Sequence, residues 1–109
     1  MKKGELWFFE LPALNGHEQI GTRPALVISV SSTANTVVII PLTTNMQSLR
    51  FPFTLAVSNS KENGLEVNSV LLVFQIRAID KKRMIRKIGT LETKSLKEVE
   101  NILKKLIGL

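Results

Sequence analysis

The sequence contains no cysteine, one histidine (His17) and one aspartate (Asp80). Without cysteine, thiol catalysis, disulfides, zinc ribbons and iron–sulfur clusters are excluded. A single histidine and a single aspartate leave little material for a histidine-rich metal site or a Ser-His-Asp triad, so neither a metal nor another cofactor is expected. No apolar run reaches the ~20 residues that a spanning helix needs. The N-terminus, Met1-Lys2-Lys3-Gly4-Glu5, meets polar residues at once. Neither a signal peptide nor a membrane partner is expected, and the reading is a cytoplasmic protein. What is present is 109 residues, 44% hydrophobic and 22% charged. That is an ordinary globular composition, enough for one domain over 1–109 with a core that needs no cross-links.

The charge is lopsided. Lys and Arg number 15 against 9 Asp and Glu, a net charge of +6. Residues 1–75 hold five basic and five acidic side chains, whereas 76–109 hold ten and four, so the whole excess lies in the last third. Its densest part is Arg77, Lys81, Lys82, Arg83, Arg86 and Lys87, opposed by Asp80. A charge run is most often a solvated face. The functional alternative is a landing surface for phosphates or for an acidic protein segment.

The first two thirds read as short strands. Leu6–Phe9 is aromatic and apolar. Ala25–Val30 is β-branched, Val37–Ile40 is a second apolar run stopped by Pro41, and Phe53, Leu55 and Val57 alternate with Thr54 and Ala56. Val70–Phe74 and, more weakly, Ile85–Leu91 complete the series. Short turns separate these runs and no crossover helix intervenes, which predicts a small barrel or sandwich. At the C-terminus the period changes. Leu96, Val99, Ile102, Leu103, Leu106 and Ile107 form one stripe of a helix, with Ser95 and Glu98 as a capping box, Thr93 as a rival cap and Glu100–Lys104 as an outer-face pair. Asp80 is placed to cap a short helical turn through Lys81–Arg83.

Three stretches carry chemistry. Gly16 to Pro24 brings His17, Glu18, Gln19 and Arg23 together between two strands, in a loop that two glycines let bend. The competing reading is a polar hairpin loop whose groups satisfy one another. Pro41-Leu42-Thr43-Thr44-Asn45 ends a buried strand in two hydroxyls and an amide, which can hold phosphate oxygens or simply turn the chain. Phe74-Gln75-Ile76-Arg77-Ala78-Ile79-Asp80 ends an apolar run in polar groups, with Arg77 and Asp80 also readable as a surface ion pair.

In this order the three stretches resemble the MazF/PemK family of toxin–antitoxin ribonucleases. Lys3-Gly4-Glu5-Leu6-Trp7 looks like the family's first strand. Gly16-His17-Glu18-Gln19 and Gly21-Thr22-Arg23-Pro24-Ala25-Leu26-Val27-Ile28 look like its signature loop and second strand, with histidine at 17 as in the Kid-like members. Pro41-Leu42-Thr43-Thr44, Phe51-Pro52-Phe53 and Gln75-Ile76-Arg77-Ala78-Ile79-Asp80-Lys81 extend the resemblance along nearly the whole chain.

The resemblance implies a mainly β fold, an SH3-like β-barrel of the CcdB/MazF toxin type with a C-terminal helix, usually a homodimer. It implies sequence-specific, metal-independent cleavage of single-stranded RNA, in which the substrate's 2′-hydroxyl attacks phosphorus to leave 2′,3′-cyclic phosphate and 5′-hydroxyl ends. It further implies a cognate antitoxin with an acidic, flexible C-terminal segment. Carried over by position, Arg23 matches the essential arginine and Thr43 the catalytic threonine, with His17 and Glu18 as proton-handling partners. Gln19, Thr44, Phe74, Gln75, Arg77, Lys81 and Lys82 match or flank the RNA-contacting surface. One position departs from the pattern. Many relatives carry a carboxylate just before the Gln-Ile-Arg block, and here it is Phe74, which neither takes nor gives a proton. Phe74 is then a base-stacking residue or the inward end of a core strand. The departure keeps a non-catalytic barrel that binds RNA or an antitoxin in view, with a CcdB-like gyrase poison behind it.

Overall fold

The structure is a computed structural model that describes residues 1–10 and 21–109. Seven strands form along the described chain: β1 (Glu5–Glu10), β2 (Thr22–Val30), β3 (Thr36–Thr43), β4 (Thr54–Val57), β5 (Ser69–Leu72), β6 (Arg77–Asp80) and β7 (Met84–Thr90). Helix α1 (Thr93–Leu106) ends the chain. The sheet runs β4-β5-β3-β2-β1-β7, with β6 also paired to β3 and every pairing antiparallel. A single 3-10 turn, Lys81–Arg83, carries the chain from β6 on one flank to β7 on the other, so the strands curl into a barrel-like shape without closing. Asp80 caps that turn as expected, its carboxylate accepting the Lys82 N–H at 2.9 Å.

Because neighbouring residues point to opposite faces, the sheet has two apolar sides. One carries Leu6, Leu26, Ile40, Leu42 and Leu71, covered by α1 through Val99, Leu96, Ile102, Leu103 and Leu106. The other carries Phe9, Ala25, Val27, Val37, Ile39 and Ile79. No helix among the described residues is long and apolar enough to cross a membrane. The helical stripe forms as its spacing predicts, but its ends differ. Glu92 is the N-cap residue and makes no side-chain cap, so the Ser95–Glu98 box is not built, and Ile107 lies beyond the helix and is exposed. Glu100 pairs with Lys3 at 2.9 Å rather than with Lys104, which ties α1 to the N-terminus.

Two expected strands are also redrawn. β3 does not stop at Pro41 but runs on to Thr43. Proline is tolerated there because β3 changes partner at that point: Ile39 pairs with Arg77 of β6, and Leu42 pairs with Leu71 of β5. Across those three residues of β3, the opposite strand advances six. The extra three form a 3-10 turn, Val73–Gln75, that interrupts the apolar run. Val73 stays buried and Phe74 is extruded, 38% exposed, so Phe74 is not the inward end of a core strand. Phe53 is likewise outside β4. It adopts a left-handed backbone with φ 58°, unusual for an aromatic residue, and its carbonyl accepts the Phe74 N–H at 3.2 Å.

A polar latch holds the 58–65 loop to the start of α1. Asn63, fully buried, donates to Ser58 O at 2.9 Å and Glu92 Oε1 at 3.0 Å, and its own oxygen accepts from the backbone N–H of Ser60 and Leu65. Ser60 Oγ donates to Glu92 Oε2 at 2.6 Å. Burial alone would raise the Glu92 carboxyl's pKa, but the hydrogen bonds from Ser60, its own backbone N–H and Asn63 outweigh it and lower it.

Candidate active site

Arg23 lies on β2 directly across from Phe9 of β1. On its other side the β2–β3 register pairs Val27 with Ile39, Leu26 with Ile40 and Ala25 with Pro41. Continued by two residues, that register brings Arg23 opposite Thr43. Thr43 in turn pairs with Val70 of β5. Facing residues of paired strands share a side. Arg23 and Thr43 therefore stand side by side on the face of the second apolar cluster, at its polar end. Both are partly exposed. The Thr43 hydroxyl oxygen accepts the Asn45 N–H at 3.2 Å, which fixes the oxygen and leaves its hydrogen to be donated. A guanidinium fork and an oriented hydroxyl next to one another are donors suited to the oxygens of one phosphate.

Thr44 does not share this face. It lines a cavity of about 310 Å³ with Phe8, Pro24, Leu65, Val67 and Arg86 on the opposite side of the sheet. Phe8 pairs with both Pro24 and Arg86, and the Arg86 guanidinium sits 4.5 Å over the Phe8 ring. That cavity holds neither Arg23 nor Thr43. The two adjacent threonines are thus separated by strand geometry.

Of the remaining residues expected at the site, His17, Glu18 and Gln19 lie outside the described residues. Phe74 and Gln75 are both exposed on the 3-10 turn beside β3. Arg77 pairs with Ile39 and so shares the face of Arg23 and Thr43. It is exposed, and its offset of three from Asp80 along a strand points the two side chains to opposite faces, which excludes their ion pair. The basic flank is less uniform than its sequence. Lys81 donates its ammonium to Ser31 O at 2.6 Å, and Lys87 pairs with Glu5 at 3.1 Å. Lys82 remains exposed.

Two further features carry no motif in the sequence. Residues 19–61, which include β2, β3 and β4, contain no Asp or Glu. A neutral charge count over residues 1–75 conceals that gap. The second is the segment after Thr43. Asn45 caps a 3-10 turn, Met46–Arg50, that packs against β4 and β5. The turn delivers Phe51, 45% exposed, to within 6.1 Å of Phe74, ring centroid to ring centroid.

Comparison with known proteins gives a consistent result. Residues 2–107 match the family described as the PemK-like, MazF-like toxin of type II toxin–antitoxin systems. The chain is 33% identical over 113 residues to the endoribonuclease MazF of Staphylococcus saprophyticus, covering all of this chain and 92% of that one. It is 32% identical over 112 residues to the endoribonuclease EndoA of Bacillus subtilis, covering all of this chain and 96% of that one. Among solved structures, it superposes on MazF from Deinococcus radiodurans in a MazE–MazF crystal with a TM-score of 0.80 at 26% identity, covering 100% and 96% of the two chains.

Proposed function

The chain belongs to the PemK/MazF toxin family, and from that premise we propose that it is an endoribonuclease, the toxin of a type II toxin–antitoxin pair. The observation that carries the reading is the β2–β3 register, which, continued past Ala25–Pro41, sets Arg23 and Thr43 on one partly exposed face, at the positions where the resemblance puts the reacting phosphate. Arg23 stabilises charge that develops on the phosphoryl oxygens, and Thr43 donates a hydrogen bond to one of them. The nucleophile is the substrate's own 2′-hydroxyl. The O–P bond it forms closes a 2′,3′-cyclic phosphate as the bond to the 5′-oxygen breaks, and that oxygen leaves as a hydroxyl once protonated. Glu18 and His17 are the proton-handling partners, one taking the 2′-hydroxyl proton and the other supplying one to the leaving oxygen.

No step uses a metal, so activity survives chelation. Single-stranded RNA is the substrate, because Arg77 shares the face of the pair and Phe74 and Gln75 are exposed groups of the kind that meet unpaired bases. The protein acts as a homodimer, and an antitoxin with an acidic segment covers the same face. The experiment is cleavage of a long RNA in EDTA followed by mapping of both new ends. Cyclic phosphate and 5′-hydroxyl ends at a recurrent short sequence are expected. Intact RNA at micromolar protein overturns the nuclease reading.

A further inference from the structure

Two segments far apart in sequence together build a small aromatic surface. The 3-10 turn ending at Arg50 delivers Phe51, and the three-residue insertion between β5 and β6 delivers Phe74. The two rings are 6.1 Å apart with 57° between their planes. The Arg50 guanidinium lies 5.1 Å over the Phe51 ring. Three interactions hold the arrangement. Thr54 Oγ1 donates to Phe51 O at 2.9 Å, the Phe51 N–H donates to Ser48 O at 3.1 Å, and Phe74 N–H donates to the carbonyl of left-handed Phe53. A non-glycine residue in that conformation costs of order 1–3 kcal/mol, and such strain collects at sites where geometry matters. Burying the two rings would be the simpler outcome for an apolar pair, yet both remain more than one third exposed.

We propose that Phe74 and the Arg50-capped Phe51 are stacking platforms for two unpaired nucleobases of the RNA whose phosphate lies at Arg23 and Thr43. The inference rests on the nuclease reading above and adds how the strand is held. The chemistry of the surface matches that ligand. Aromatic faces stack any base, a guanidinium plane extends the stack and meets phosphate, and the acid-free stretch 19–61 puts no carboxylate from β2, β3 or β4 against the RNA backbone. The 57° tilt also selects for single strands. Two bases stacked on planes so inclined are splayed apart, which a continuous duplex stack forbids.

The test is binding of fluorescein-labelled, 2′-O-methyl single-stranded RNA of randomised sequence, which cannot be cleaved, with light scattering on the same samples. F51L and F74L keep apolar bulk and lose the ring face; F51Y and F74Y keep the face. Each Leu variant should weaken Kd by about 5- to 150-fold, the range of one lost base stack. The Tyr variants should bind as the parent does, with the slope of log Kd against log salt unchanged. R50Q should lower that slope by about 0.7, one phosphate contact on a single strand. Parent-like Kd in both Leu variants overturns the proposal. So does a changed oligomeric state at unchanged affinity, because the surface, which also exposes Met46 and Leu49, is then a contact between copies. If the parent binds RNA but does not cleave an unmodified strand, the nuclease reading fails while the stacking surface stands. If the parent binds none, both fail.

Discussion

Arg23 stands directly across β1 from Phe9, a ring that is 1% exposed. By register a buried aromatic flanks the arginine on one side and Thr43 on the other, where a planar fork can meet two phosphate oxygens at once. Charge alone is then insufficient. Arg23→Ala should lower single-turnover RNA cleavage by at least about 10²- to 10³-fold, the usual loss for one preorganised donor to a developing anion. Arg23→Lys keeps the charge but not the fork, and should recover less than a tenth of the parent rate. Circular dichroism should show both variants folded. Cleavage by Arg23→Ala at the parent rate rules the residue out of the mechanism.

Thr43 offers a sharper comparison. Its oxygen accepts the Asn45 N–H, so Thr43→Val removes both that bond and the hydrogen available to a phosphate. Thr43→Ser keeps both. Cleavage should fall by more than tenfold in the valine variant and stay within about threefold in the serine variant. Loss of one partly exposed hydrogen bond costs only about 0.5–1.5 kcal/mol of stability. Urea unfolding should therefore shift little in either protein. Equal activity in the valine and serine variants would mean that Thr43 serves only the turn.

Much of this was legible from pattern. Alternation along Leu55-Ala56-Val57 and the three-and-four spacing of Leu96, Val99 and Leu103 report burial directly, and both came out as read. Phe74 did not, because a fully apolar run carries no facing information. The insertion that extrudes it is visible only in the unequal advance of two partner strands at Pro41. The proximity of Arg23 and Thr43 followed from resemblance, whereas their shared face follows from register. The opposed facing of Thr43 and Thr44 needed the strand itself. The Ser95–Glu98 box is not built because the helix starts at Thr93, with Ser95 already inside it, and its N-cap residue Glu92 has its carboxylate claimed by a long-range partner, Asn63.

That latch sets a stability prediction. A Cβ at Gly89 would come within 2.5 Å of the Asn63 and Glu62 carbonyl oxygens, which are backbone and cannot swing aside. Gly89→Ala should destabilise by more than about 2 kcal/mol in urea, as overpacking against fixed atoms does. Asn63→Ala strips partners from the Ser60 and Leu65 N–H groups and from Glu92, and should cost about 2–4 kcal/mol. A loss below 1 kcal/mol in both variants would show that the loop is not held at this point.

Acid should weaken the fold through Glu5. Burial pushes its pKa up, but bonds from Trp7 Nε1 at 3.0 Å, Lys87 Nζ at 3.1 Å and the Lys2 N–H at 3.0 Å overcome this and bring it down to about 2. A carboxyl whose pKa is lower folded than unfolded contributes fully above its unfolded value and loses that contribution as pH falls through the folded one. The window is thus from about pH 4.5 down to about 2. The Glu5 side chain is 13% exposed, so the contribution at neutral pH is of order 2–3 kcal/mol. Glu5→Gln should be less stable at pH 7 by about that amount and lose less between pH 5 and 3. Parallel pH profiles for parent and variant would contradict the assignment.

The same pairing divides the basic flank in two. Lys81 and Lys87 have their charges engaged, by the Ser31 carbonyl and by Glu5, and Arg86 lies over Phe8 on the face away from Arg23. Arg77 and Lys82 are exposed, and Arg77 shares the face of the site. Equal numbers of charges should therefore have unequal effects. Removing Arg77 and Lys82 together, as Gln, should weaken RNA binding and lower the slope of log Kd against log salt by about 1.4, two phosphate contacts on a single strand. Turnover at saturating RNA should persist. Lys87→Gln should leave that slope unchanged and reduce stability at pH 7, because its ammonium serves Glu5 rather than RNA. If Lys87→Gln lowers the slope as much as the double variant does, then phosphate competes with Glu5 for Lys87, and the whole flank acts as one landing surface.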